Sequence, residues 1–241
     1  MIKKIYTKNQ SDNMSLIEHL EELRSRLFSA FIIFCIITIF CLIYIKDISF
    51  LLEQPASGIK FLQLAPGEYI FVSIKIAIYT AFIFSSPFII YQIIKFILPG
   101  LTTKEALYII PTLIASIILF FIGITFAYTI LIPAALHFLI NYGSDIVEPF
   151  WSFDEYFNFI LILLFSTGLA FQIPIIQIIL GLLNILSSQY MLEYWKYIVF
   201  LSTILSAIIT PSTDPITQIF MVLAILSLYF SGILILKTLN K

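Results

Sequence analysis

The stretch HLEELRSRLFSAFIIFCIITIFCLIYI, residues 19–45, passes from a charged segment directly into an uninterrupted apolar run. The apolar part, about residues 27–45, is long enough for a membrane-spanning helix, which needs about 20 apolar residues. The charged part holds two acidic and two basic side chains: Glu21, Glu22, Arg24 and Arg26. The arginines suit the inner end of a membrane helix, but the two glutamates require a separate explanation.

The whole chain has the composition of a membrane protein. Of its 241 residues 61% are hydrophobic and 11% are charged, and the mean hydropathy is +1.05. Soluble domains carry about 45–50% apolar and about 25% charged residues. The net charge of −1 gives no indication of nucleic-acid binding. We therefore expect an integral membrane protein with no room for a second, soluble domain.

Six apolar stretches indicate an all-α fold with six transmembrane helices. They lie at about residues 27–45, 70–94, 107–132, 157–183, 197–209 and 216–236. The predicted organisation is a polar leader with an interfacial amphipathic helix at 1–26, one six-span membrane domain at 27–236 and a short inner tail at 237–241. The fifth stretch is short for a hydrocarbon layer of about 30 Å, which implies local thinning or a protein-lined neighbour.

The basic residues predict the orientation, because cytoplasmic loops are enriched in Lys and Arg. With the N-terminus inside, ten Lys or Arg residues fall on the inner face and two, Lys46 and Lys60, on the outer face. Both termini are therefore expected on the cytoplasmic or stromal side. The outer loop at 133–156 has no Lys or Arg and is long enough for a short interfacial helix.

Prolines recur in or beside the predicted spans, and a proline inside a helix bends it. This pattern predicts a curved, concave bundle. We expect Pro87, Pro99 and Pro174 to have structural roles in this bundle.

Two acids, Glu22 and Glu105, lie on the face that otherwise carries the Lys and Arg residues. Leu16, Leu20, Leu23 and Leu27 form one apolar face, as in a helix that lies on the membrane surface before it turns in. Glu22 and Arg26 have the i, i+4 spacing of an ion pair. Either these acids only solvate an interfacial helix and stabilise a helix N-terminus, or they accept a dibasic ligand.

Three further polar residues lie in or beside spans. Gln172 is a mid-span amide that we expect to face protein or a polar groove, since an unpaired amide in hydrocarbon is costly; interhelical hydrogen bonding is the simpler interpretation. Lys75 can extend outward to the interface. Asp214, in the sequence TPSTDP, is typical of a residue that structures a turn.

No sequence pattern indicates catalysis, a metal or a cofactor. His19 and His137 have no partners at metal-ligand spacing, and nucleotide, zinc-protease and serine-hydrolase motifs are missing from the sequence. We therefore predict that the chain is not an enzyme. A small secondary transporter for a solute is an alternative function, although it would need intramembrane ionisable pairs and repeat symmetry.

Several segments, taken in order, resemble one family. HLEELRSRL (19–27), SSPFIIYQIIKFILPGLTTKE (85–105), FFIGITFAYTILIP (120–133), GLAFQIP (168–174) and ITPSTDPITQ (209–218) are similar to the TatC family, the large subunit of the twin-arginine protein translocase. TPSTDP resembles the cyanobacterial and plastid branch. Many members carry Glu where this chain has Gln172.

The resemblance implies a function and a site. It implies a core subunit that binds the twin-arginine signal peptides of folded precursor proteins and recruits TatA/TatB-type single-span subunits in a larger complex. Transport would use the proton gradient, and the membrane would be the plastid thylakoid or, as an alternative, a bacterial inner membrane. The implied signal-binding residues are Glu22 and Glu105, with Arg24 in support. The implied intramembrane polar or partner contacts are Gln172, Lys75, Tyr128 and Asp214.

Overall fold

The computed structural model describes residues 16–97, 108–142, 150–210 and 214–239. In these ranges the chain forms ten α-helices and two short strands. In chain order they are α1 (Leu16–Ile43), α2 (Ile45–Glu53), β1 (Lys60–Leu62), α3 (Glu68–Ile97), α4 (Ile109–Phe126), α5 (Ile132–Asn141), β2 (Phe150–Ser152), α6 (Phe153–Ala170), α7 (Ile173–Leu182), α8 (Ser188–Glu193), α9 (Trp195–Ile209) and α10 (Pro215–Thr238).

The helices confirm the predicted all-α, six-span architecture. Five helical segments are long and apolar enough to cross a membrane, namely Ile17–Ile43, Glu68–Phe96, Ile110–Asn141, Phe153–Leu182 and Pro215–Thr238. The fifth span in sequence is α9, which has 15 residues. At 1.5 Å per residue it is about 22 Å long, shorter than the hydrocarbon layer. The short fifth span expected from the sequence is therefore present.

The first span begins earlier than predicted. Helix α1 runs without a break from Leu16 to Ile43, so the charged stretch forms its first turns. The change of direction expected between a surface helix and the span is not present. The physical reason is that Glu22–Arg26 pairing and the Leu residues are compatible with a single continuous helix, and no Gly or Pro interrupts it.

The third span is longer than predicted, because residues 132–141, which the sequence assigned to the outer loop, continue its helix. Helix α4 passes through one π-helical turn, Ala127–Leu131, and continues as α5. Pro133 lies in the first turn of α5, where its missing N–H costs no hydrogen bond. A proline placed directly after a π turn therefore does not end this span.

The fourth span is divided into α6 and α7 at Phe171 and Gln172. Pro174 lies in the first turn of α7, again at a position that tolerates proline. Pro87 lies inside α3, whereas Pro99 is outside the described residues.

The spans form an arc that is open on one side. Helix α1 packs on α3, α6 lies at the centre against α3 and α4, and α10 packs on α7 and α9. In the fourth span 56% of the most apolar window is buried inside the protein, against 6% in α1. The fourth span is thus the centre of the fold and α1 is a flank, which agrees with the predicted concave bundle.

An outer cap, formed by residues 44–67 and 150–152, covers one end of the arc. Strands β1 and β2 pair in parallel, with Lys60 opposite Phe150 and Leu62 opposite Ser152. Gly58 and Gly67 have φ values of +98° and +81°, which favour glycine. Burial raises the pKa of Glu53, at the end of α2.

Helix α7 approaches α10 closely at Gly232. A Cβ atom on Gly232 would overlap with Gln177 Oε1 and would lie 3.2 Å from the backbone Cα of Pro174. Gln177 is itself buried. Small residues at helix contacts allow such close packing in membranes.

We expect Gly232→Ala to lower the stability of the protein. Alanine normally stabilises a helix by up to about 1 kcal/mol relative to glycine. Here its methyl group would lie 3.2 Å from the Pro174 backbone and would force the buried Gln177 side chain to move, and overpacking costs about 1–3 kcal/mol. The measurement is thermal unfolding of the purified protein in detergent. Ser231→Ala, on an exposed neighbour, is the matched control and should unfold near the wild-type temperature. An unchanged or raised midpoint for Gly232→Ala would contradict the close contact.

Candidate functional site

The first turns of α1 carry an ion pair between Glu22 and Arg26. Arg26 Nε donates to Glu22 Oε1 at 2.9 Å, and Arg26 Nη2 donates to the same oxygen. The Glu22 side chain is 22% exposed and the Arg26 side chain is 17% exposed. The i, i+4 spacing seen in the sequence therefore does produce the expected pair.

The second oxygen of the same carboxylate, Glu22 Oε2, is covered and accepts no hydrogen bond from the described residues. His19 Nδ1 lies 4.0 Å from it. Glu22 thus uses one oxygen for Arg26 and keeps acceptor capacity on the other.

Two contacts attach this part of α1 to the inner end of α3. Arg26 Nη1 donates to Gln92 Oε1 at 3.3 Å. The ring of His19 stacks on Phe96 with a centroid distance of 4.3 Å and an interplanar angle of 15°. Neither contact was predictable from local sequence, because each joins residues about 70 positions apart, whereas the i, i+4 spacing of Glu22 and Arg26 is a local pattern.

The remaining predicted residues of this region differ in their surroundings. Arg24 and Glu21 are exposed. Arg26, and not Arg24, is the cation that pairs with Glu22. Glu105 lies outside the described residues, so its convergence with Glu22 stays a prediction.

Gln172 lies at the break between α6 and α7 and pairs with α4. Its Nε2 donates to the Ser116 carbonyl at 3.1 Å, and Ser116 Oγ donates to Gln172 Oε1. The amide is thus satisfied by a neighbouring helix, as the interpretation of interhelical hydrogen bonding requires.

Gln172 and Ser116 also line an apolar groove between α3, α4 and the fourth span. The groove has a volume of about 340 Å³. Its other lining side chains are mainly aliphatic and aromatic, and Ser86 is a third polar group. A second groove of the same volume lies nearer the outer cap and includes Leu51 and Tyr128.

Lys75 and Tyr128 make contacts that hold together the outer end of the helix bundle. Lys75 Nζ lies 2.6 Å from Asp154 Oδ1 at the start of α6, with both side chains about two-fifths exposed. Tyr128 donates its hydroxyl to the Leu51 carbonyl at 2.8 Å. Lys75 therefore reaches outward as expected, and Tyr128 ties the third span to α2.

Two further residues that the sequence analysis did not assign complete this support. Tyr156 donates to the Leu52 carbonyl at 2.8 Å. Glu68 accepts from the backbone N–H groups of Leu64, Ala65 and Asp154, at 2.6, 3.0 and 2.9 Å. An acid at the start of an apolar stretch, as Glu68 is, was the sequence signal for such a cap.

Asp214 is the N-cap of α10 and is 1% exposed. Its carboxylate accepts from the Thr217 backbone N–H at 2.8 Å and from the Thr217 hydroxyl. The geometry favours the turn-forming role predicted from TPSTDP. A role of Asp214 in partner contact stays a prediction.

Together these features define a class of protein: a multi-span membrane protein whose charged inner end and open apolar face suit the recognition of another chain. Among the described residues, no group of three or more His, Cys, Asp or Glu side chains could hold a metal ion. The Gln172–Ser116 pair places polar groups at the edge of an otherwise mainly apolar groove.

Comparison with known proteins identifies the family. The family model described as "Sec-independent protein translocase protein (TatC)" matches residues 18–223, so the chain belongs to the TatC family. A tatC-like protein of Gracilaria tenuistipitata var. liui is 68% identical over 97% of this chain and 98% of its own. The chloroplastic Sec-independent protein translocase protein TATC of Oryza sativa subsp. japonica is 46% identical over 93% of this chain and 63% of its own.

A solved structure is similar over nearly the whole chain. The crystal structure of the twin-arginine translocase receptor TatC superposes with a TM-score of 0.79 at 33% identity, over 93% of this chain and 100% of that chain. The protein is therefore a receptor-type subunit of the translocase and not an enzyme. Its described helices are those of a multi-pass membrane protein, and its relatives include a Sec-independent protein translocase protein TatC of Synechocystis sp., 51% identical, as well as the chloroplastic protein of Oryza sativa. The alternative of a small-solute transporter is not favoured.

We expect Asp214→Ala to destabilise the first turn of α10. Loss of an N-cap costs about 0.5–2 kcal/mol, and here it also leaves the buried Thr217 N–H without its acceptor. Thermal unfolding in detergent measures the loss, and Asp214→Asn, which keeps a capping oxygen, should retain most of the stability. Equal losses in the two variants would contradict the capping role.

Proposed function

We propose that this chain captures twin-arginine signal peptides at the inner membrane face, with Glu22 and Glu105 as acceptors and Arg24 in support. The observation that carries the proposal is the geometry of Glu22. Its carboxylate already binds one guanidinium group, that of Arg26, and retains an oxygen without a hydrogen bond among the described residues. The planar guanidinium group matches carboxylate geometry.

The carboxylates alone give selectivity and not tight binding. A charge-assisted hydrogen bond contributes about 1.5–3 kcal/mol at best, and an exposed ion pair about 0–1 kcal/mol. Micromolar affinity corresponds to about 8 kcal/mol. The remaining free energy must come from the apolar segment of the signal, which would pack in the concave face.

The two grooves support that part of the proposal. Each has a volume of about 340 Å³ and an almost entirely apolar lining. They lie along α3, α4 and the fourth span. The groove lined by Gln172 and Ser116, called the inner groove, is farther from the outer cap, so an apolar helix entering from the inner side would meet it first.

We further propose that TatA/TatB-type single-span subunits bind along α9 and α10 and near Gln172. Helix α9 is short, and it carries exposed apolar residues such as Phe200 and Ile208. The partners, together with the proton gradient, would complete the passage for folded proteins. A thylakoid membrane is the proposed location.

We expect Glu22→Gln to weaken crosslinking between the chain and a twin-arginine signal peptide several-fold, because it removes the charge of the acceptor while keeping its shape. Photo-crosslinking in membrane vesicles measures the effect. Glu21→Gln is the matched control, since it removes the same charge from an exposed neighbour. Equal crosslinking by wild-type and Glu22→Gln chains would contradict the assignment of Glu22.

We expect Gln172→Leu to impair contact with single-span partners more than signal capture. The substitution removes both hydrogen bonds to Ser116 and one polar group of the inner groove. Co-purification of TatA/TatB-type subunits and signal crosslinking are measured on the same membranes. Gln189→Leu, at an exposed site in α8, is the control, and equal loss of both activities in Gln172→Leu would refute the division of roles.

A further inference from the structure

We propose that Arg26 is a competitor, within the chain, for the carboxylate that receives the signal, and that it sets the requirement for two arginines. This inference rests on the proposed signal-binding role of Glu22. It concerns a residue to which neither the charge pattern nor the family resemblance gave a role in recognition.

The first observation is that Glu22 is already occupied. Arg26 presents its Nε and Nη2 groups to Glu22 Oε1 in the way that a ligand arginine would. The pair is mostly buried, with side chains 22% and 17% exposed. An ion pair with this geometry is stronger than a solvent-exposed one, because water screens it less.

The second observation is that the other carboxylate oxygen of Glu22 is buried. Glu22 Oε2 is covered and has no hydrogen-bond donor within the described part of the chain. A signal arginine must therefore either displace Arg26 from Oε1 or move the groups that cover Oε2. The first route breaks the existing pair.

The third observation is that Arg26 has a second acceptor to hold it when the pair opens. Its Nη1 group donates to Gln92 Oε1 at 3.3 Å, on α3. Gln92 is neutral, so it keeps the guanidinium group near α3 without cancelling its charge. Arg26 therefore stays close to Glu22 and continues to compete.

These contacts give a physical reason for a double-arginine requirement. When one signal arginine replaces Arg26 at Glu22, one guanidinium–carboxylate pair forms and one breaks, so the net gain is small. A second signal arginine makes a contact that the free chain does not already contain. Signals with a single arginine are rejected, because their only strong polar contact replaces the Arg26–Glu22 pair that the free chain already contains.

The test compares peptides that differ only at the arginine pair. Synthetic signal peptides carrying Arg-Arg, Arg-Gln or Gln-Gln are titrated against the full-length chain in membrane vesicles, by fluorescence. We expect Arg26→Gln to bind the Arg-Gln peptide about three- to tenfold more tightly than wild type, an effect the size of one partly exposed ion pair. The Arg-Arg peptide should gain by the same factor, because one of its arginines also replaces Arg26 at Glu22, whereas the affinity for the Gln-Gln peptide should not change.

Two variants act as controls. Lys95→Gln removes a positive charge from the inner end of α3, where the lysine lies 5.6 Å from the Tyr91 ring centroid, and should leave the affinity for the Arg-Gln peptide unchanged. Arg26→Lys keeps the charge but loses the planar two-nitrogen contact, and should give an intermediate gain in affinity for the Arg-Gln peptide. Thermal unfolding of each variant reports on folding.

The outcomes separate the inference from the proposed function. An unchanged affinity of Arg26→Gln for the Arg-Gln peptide, or an equal loss of affinity for Arg-Arg and Arg-Gln together with a lower unfolding temperature, would overturn the competitor role and make Arg26 a tether between α1 and α3. In either case a wild-type chain that prefers Arg-Arg leaves the proposed function intact. A wild-type chain that binds Arg-Arg and Gln-Gln equally would overturn both.

Discussion

Backbone hydrogen bonding in a medium without water is the constraint on which this structure depends. Every N–H and C=O group at membrane depth must find a partner inside the protein, and an α-helix provides it within one segment. The long apolar stretches of this chain are helical for that reason. The places where the helices depart from regularity are therefore informative, because each one needs another way to satisfy the backbone.

The fourth span shows how such a departure is tolerated. At Phe171 and Gln172 the helix is interrupted, and the Gln172 amide exchanges hydrogen bonds with Ser116 on α4. The interruption lies in the most buried span, beside the inner groove. The chain thus places its irregular backbone where protein surrounds it, and the same position brings a polar side chain to the edge of an apolar groove.

The sequence predicted the spans well, because hydropathy and length directly express the cost of polar groups in hydrocarbon. It predicted the Glu22–Arg26 pair from helical spacing alone and the turn role of Asp214 from its sequence neighbours. It failed where contacts join distant segments: the pairing of β1 with β2, the Arg26–Gln92 hydrogen bond and the tyrosine contacts with α2. It also placed the end of the third span at Pro133, since the π turn before this proline has no sequence signal that we recognised. Glu105 and Pro99 lie outside the described residues, so for them the sequence prediction stands alone.

Recognition within a membrane draws on forces that differ from those in water. An apolar helix that leaves lipid for a groove gains little from the hydrophobic effect, since lipid tails are as apolar as the groove, and its binding rests on packing and a few polar contacts. The charged inner end works in a different environment, where carboxylates and guanidinium groups retain some hydration and each contact is weak. A receptor built in this way combines weak selectivity at the surface with modest packing at depth. Neither part alone gives tight binding, so strong association requires both at once.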